Sequence, residues 1–120
     1  MADLQPVFTA LRGLLAPYAT TLTVVRDDAQ ELYLDTTHVQ KNKKPLFFAA
    51  VQVKKSFVSF HLMPVYLAPS LLDGISPALK ARMQGKSCFN FSAVDVVLFE
   101  ELAALTRAGH AHYRDQGFVA

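Results

Sequence analysis

The chain has a single cysteine, Cys88, among its 120 residues. No internal disulfide can form, and a cytoplasmic location is the expectation. Charge of one sign is equally scarce. Twelve Lys and Arg against ten Asp and Glu leave a formal +2, too little to imply a nucleic-acid partner. Long apolar runs are missing as well. No stretch approaches the roughly 18 apolar residues of a spanning helix. The uncharged span Ser56 to Leu72 is interrupted by Ser59, His61, Pro64 and Pro69. The opening MADLQPVF has no basic region ahead of an apolar core, so neither a signal peptide nor a membrane partner is expected. A glycine-rich phosphate loop, Cys/His zinc spacing and a helix with paired carboxylates are all lacking, as are repeats and low-complexity segments.

What is present is one domain's worth of chain, residues 1–120, able to bury roughly two-thirds of its unfolded surface. The stretch Leu46 to Met63, LFFAAVQVKKSFVSFHLM, predicts two strands bending at Lys54-Lys55. The apolar pattern pairs Val51 with Val58, Ala49 with Phe60 and Phe47 with Leu62, which gathers one wholly apolar face. Phe48, Ala50, Gln52, Phe57, Ser59 and His61 then share the other face, which needs a helix, a partner chain or a ligand to cover it.

Around this hairpin the signals run in order. Asp3 caps a first helix with apolar positions at Leu4, Val7, Phe8, Leu11, Leu14 and Leu15, and Pro17 ends it. Thr20 to Arg26 and Gln30 to Thr36 read as paired strands across an Asp27-Asp28-Ala29 bend. Ser76-Pro77 starts a short helix that Gly85 stops after Gln84. Ser87 to Phe91 is a fifth strand, with Phe89 and Phe91 on one face and Cys88 and Asn90 on the other. Ser92 to Asp95 matches a capping box for a helix from about Ala93 to Tyr113, with Leu98, Phe99, Leu102, Leu105 and Thr106 inward. The fold class is α+β: a mostly antiparallel five-stranded sheet packed by N- and C-terminal helices, with short helices before the last strand.

The segments KPLFFAAVQVKKSFVSFHLMPVY, SPALKARMQGKSCFNF and FEELAAL resemble the YdhG-like family of small bacterial domains, over about Lys44 to Leu105. The resemblance implies a frataxin-like α/β sandwich. Through the members that look like intracellular iron chaperones, it implies iron binding at an acidic ridge on the first helix and a nearby strand edge. Here the first helix has Asp3 as its only acid, and Asp27, Asp28 and Glu31 form the one acidic cluster near a strand edge. None of these acids matches the family's iron site residue by residue.

The residues singled out for binding are His61, Phe48, Phe57, Ser59 and Tyr66, with Tyr33 and Asn90 as possible neighbours. Histidine titrates near neutrality and ligates metals, but it is as readily held by one hydrogen bond under a helix. Ser59 and His61, two apart on a strand, stand about 6.6–7 Å apart at Cα, too far for an easy dyad. Cys88 reads either as a reactive thiol near Lys86 or as a buried inert one. His110 and His112 lie about 200° apart around one helix and share no metal; with Arg114 they suit a helix's C-terminal dipole. Lys41, Lys43 and Lys44 are separated from Lys54 and Lys55 by a strand of roughly 26 Å, so they make two solvated loops. The function expected is a non-catalytic ligand-binding or protein-interaction module, with a small ligand or a second copy as partner. The alternative is the metal chaperone that the resemblance implies.

Overall fold

The computed structural model describes residues 3–119. Helix α1 is Gln5–Leu15 and runs on into a 3-10 turn at Ala16–Thr20. Strands follow at β1 Thr23–Asp27, β2 Glu31–Val39, β3 Pro45–Val53 and β4 Val58–Leu62. Two short helices, α2 Met63–Leu67 and α3 Pro77–Lys80, lead to β5 Met83–Gln84 and β6 Cys88–Phe91, and α4 Val96–Asp115 closes the fold. The sheet has six strands in the order β1-β2-β3-β4-β6-β5, every neighbour antiparallel.

The sixth strand corrects the expected five. Met83 and Gln84 pair with Phe89 and Cys88 instead of extending α3, which ends at Lys80. Gly85, at φ 77°, makes the left-handed turn between them. That conformation serves a hairpin as well as a helix stop, which is why the glycine alone did not distinguish the two. At the final helix the cap is Asp95 itself, its carboxylate accepting from the Leu98 amide at 3.1 Å, one turn's start later than Ser92. At the first, the helix starts after Leu4, and Asp3 accepts from the Gln5 amide at 3.0 Å.

One cross-strand row carries the core. Leu32, Val51, Phe60 and Phe89 stand side by side across four strands, and none is more than 1% exposed. Burying side chains of this size stabilises by roughly 1.5–3 kcal/mol each. On this side α1 packs against α4, β3 and β4, and α2 against α4 and β3. Rings join α4 to the sheet: Phe99 meets Phe91 edge-on at 4.9 Å and Tyr113 meets Phe48 at 5.8 Å. Gly109 is where α4 touches α2; a Cβ there would lie 2.9 Å from that of Pro64. The glycine thus permits contact rather than merely loosening the helix.

From Ala49 to Gln52 and from Val58 to Leu62 the central hairpin keeps its expected faces but not its expected register. Val51 pairs with Phe60, Ala49 with Leu62 and Val53 with Val58, two residues from the pairing read off the pattern. A slip of two preserves which side chains share a side, because strand side chains alternate with period two. The bend is a four-residue loop, with the Lys54 amide donating to the Phe57 carbonyl at 2.8 Å, so Phe57 sits in the loop and not in the strand. A bulge moves a second residue. Between the pairs Leu34–Ala49 and Asp35–Phe47, β3 carries one extra residue, Phe48. Phe48 therefore turns into the core, fully buried, and Phe47 takes the opposite side, stacked on Tyr33 at 4.7 Å. The Tyr113 hydroxyl donates to the Phe47 carbonyl at 2.8 Å, tying α4 to the bulge.

Candidate functional site on the helix-free sheet face

The helices all lie on the Phe60 side. The reverse of the sheet carries two cross-strand rows with no helix of the described residues upon them. One row is Arg26, Tyr33, Ala50, His61, Cys88 and Gln84; the next is Glu31, Gln52, Ser59 and Asn90. Small side chains at the centre, Ala50 and Ser59, are buried, while the larger His61, Tyr33, Phe47 and Asn90 around them are half-buried.

Hydrogen bonds link the rows. Arg26 Nη1 donates to Glu31 Oε1 at 2.7 Å, and Gln52 Nε2 to Glu31 Oε2 at 2.6 Å. Ser59 Oγ donates to Asn90 Oδ1 at 2.7 Å, and Asn90 Nδ2 to Gln84 Oε1 at 2.7 Å. Cys88 Sγ donates to the same Asn90 oxygen at 3.3 Å and lies 3.8 Å from His61 Nε2. Burial pushes the His61 pKa down, Lys54 pushes the same way, and Glu31 opposes them, so the neutral imidazole is favoured. Burial raises the Tyr33 phenol, and the Asp35 and Glu31 carboxylates add to that. Burial also raises Asp35. At the edge, Arg26 holds Asp28 below the usual carboxylate range, chiefly by hydrogen bonding.

The expected site residues are dispersed. His61 and Ser59 share this face and flank the Cys88–Asn90 pair. Phe57 is half-buried in the loop between β3 and β4. Phe48 is in the core, against Tyr18 at 5.5 Å and Tyr113. Tyr66 stands exposed on α2, beside Pro69, Leu72 and Met83, away from the sheet rows. His110 also departs from expectation. It is buried, tilted on Tyr18 at 5.0 Å and edge-on to Phe48 at 5.7 Å, with no partner for Nε2 among the described residues. Burial, then Arg114, lowers its pKa.

The sequence pattern places Gln52 on this face without making it a site residue, assigns Phe47 to the apolar face, and does not bring Glu31 or Gln84 to the site. The hydrogen-bonding trio was accessible in principle, since correct register puts Gln52 beside Ser59 and Glu31. Phe47 was not, because a bulge leaves no mark in an apolar run. Chemically, the arrangement sets hydroxyl, thiol and amide groups beside an aromatic pair. Ser59 spends its hydroxyl on an amide oxygen, not on an imidazole base, and among the described residues no carboxylate hydrogen-bonds to His61. Among the described residues, no group of three His, Cys, Asp or Glu is placed to hold a metal ion. No helix among them is long and apolar enough to cross a membrane. Compared with known protein families, curated proteins and solved structures, the chain matches none.

Proposed function

We propose that the protein is a non-catalytic interaction module that works in the cytoplasm and meets a second copy of itself through the helix-free sheet face. The observation that carries this reading is the uncovered aromatic pair Tyr33–Phe47 beside half-buried His61, on a face already ordered by cross-strand hydrogen bonds. Strands of five, nine, nine, five, two and four residues spaced about 4.8 Å give a face of roughly 500 Å². Counted on both partners, that is at the low end of what a specific interface needs. The face carries Arg26 together with Asp28 and Glu31, so a two-fold axis can set opposite charges against each other.

The metal chaperone that the family resemblance implies has less behind it, since Asp27 is held by Arg12, and Asp28 and Glu31 by Arg26. Light scattering coupled to size exclusion tests the proposal. The native chain is expected to run as a dimer at micromolar concentration, and Phe47→Asp as a folded monomer. A native monomer at every concentration up to a millimolar would overturn it, as would an unchanged dimer in the folded variant.

A further inference from the structure

The helix side of the molecule holds a cleft of about 500 Å³ at the far end of β2 and β3. Pockets that take small ligands run from roughly 300 to 1,000 Å³. Leu46, Leu67 and Phe118 give it an apolar wall, and Gln40, Lys41 and Asn42 a polar one. His38 also lines it, its ring 4.6 Å from that of Phe118.

Both walls are fixed by local structure. After α4, Gly117 takes φ 79° and the Phe118 amide donates back to the Tyr113 carbonyl at 2.8 Å. This is a helix-ending turn that folds the chain over its own last turn, and it sets the Phe118 ring edge-on to Tyr113 at 5.4 Å. The polar wall is the β2–β3 connection. The Gln40 amide donates to the Lys44 carbonyl at 3.0 Å, the Lys43 amide to Gln40 at 2.9 Å, and Asn42 Oδ1 accepts from the Lys44 amide at 2.9 Å. Lys43 occupies the left-handed region at φ 68° to close it. Asn42 Oδ1 is thereby engaged, which leaves its amide NH₂ as the donor.

The charge is of one sign. Lys41 lines the cleft, Lys43 and Lys44 belong to the same connection, and no Asp or Glu lines it. No carboxylate among the described residues pairs with Lys41. We infer that this cleft binds a small monoanion with a compact apolar body, of the aromatic carboxylate class. The ring lies on Leu46, Leu67 and Phe118, and the carboxylate meets the Lys41 ammonium and the Asn42 amide. The site is separate from the sheet face and stands whether or not that face self-associates.

The test is an amide NMR titration of the full chain with 2-naphthoate and, in parallel, with the neutral 2-naphthalenemethanol. Naphthoate is expected to shift amides of residues 38–44, 46, 67 and 118 saturably, and to bind about fivefold more tightly than the alcohol. Lys41→Ala is expected to erase that preference while leaving alcohol binding unchanged. Leu67→Glu, at an exposed position, is expected to abolish naphthoate binding by putting a like charge at the cleft. Shifts confined to other residues, no saturation in the millimolar range, or a naphthoate preference unaltered in folded Lys41→Ala would overturn the assignment.

Discussion

Two rows of the same sheet, one residue out of step, are held by different physics. Leu32, Val51, Phe60 and Phe89 are fixed by exclusion of water under α1 and α4. Tyr33, Ala50, His61 and Cys88 have no such cover, and the polar groups of this face are linked by side-chain hydrogen bonds, Gln52 to Glu31 and both Ser59 and Cys88 to Asn90. The covered row sets register and stability, since burial energy scales with apolar area. The open row contributes little to either, so its composition is free to serve recognition. Its ordering would also lower the entropy cost of the proposed self-association.

The sharpest way to break the comparison is from the covered side. Phe60→Ala removes a fully buried ring from the centre of the core row and is expected to cost about 3–5 kcal/mol by urea denaturation. A smaller effect is expected at the bulge. Tyr113→Phe keeps the ring but strips the donor from the Phe47 carbonyl, for about 1–2 kcal/mol. That variant isolates what holds Phe48 inward and Phe47 outward. If the bulge is maintained by other contacts alone, its stability will match the native chain.

How much of this could be read from residues follows the same division. Alternation in VQVKKSFVSFHL separates Val51 and Phe60 from Gln52, Ser59 and His61, because a pleated strand has only two sides. The helical stripes at Leu11 and Leu15, and at Leu98, Leu102 and Leu105, are legible for the matching reason of period 3.6. The exact partner of Val51 is not, since slips of two leave both faces apolar or polar as before. The Phe48 bulge is illegible too: two adjacent phenylalanines look alike until a neighbouring strand spaces them. His110 was hidden by position, since a residue near a helix end suits a dipole or a core equally well until Phe48 and Tyr18 close over it. On the open face, His61 and Ser59 were visible as polar residues in an apolar run, while Glu31 and Gln52 needed the β2–β3 register.

Acid sharpens the comparison by acting on both faces. His110 on the covered side and His61 on the open side have pKa values lowered by burial. The unfolded chain therefore binds protons more readily than the folded one as pH falls below the ordinary histidine value of about 6.5. The contribution of these two groups is fully present above that value and declines as pH drops towards the lowered folded pKa values. Denaturation midpoints at pH 7.5 and 5.5 are expected to differ in that direction. His110→Leu is expected to flatten the slope, and a slope unchanged in that variant would assign it to the open face.

The smallest effect belongs to the open row itself. Gln52→Ala deletes a donor to Glu31 Oε2 at 2.6 Å, but that carboxylate still accepts from Arg26 and remains within reach of water. The expected loss is about 0.5–1 kcal/mol, well below that at Phe60. Paired with the mass measurement, this variant separates the two roles. If the open row exists for contact, Gln52→Ala weakens self-association while the denaturation midpoint hardly moves. A stability loss as large as that of Phe60→Ala would mean that the open face is a second structural layer, and the asymmetry between the faces would be lost.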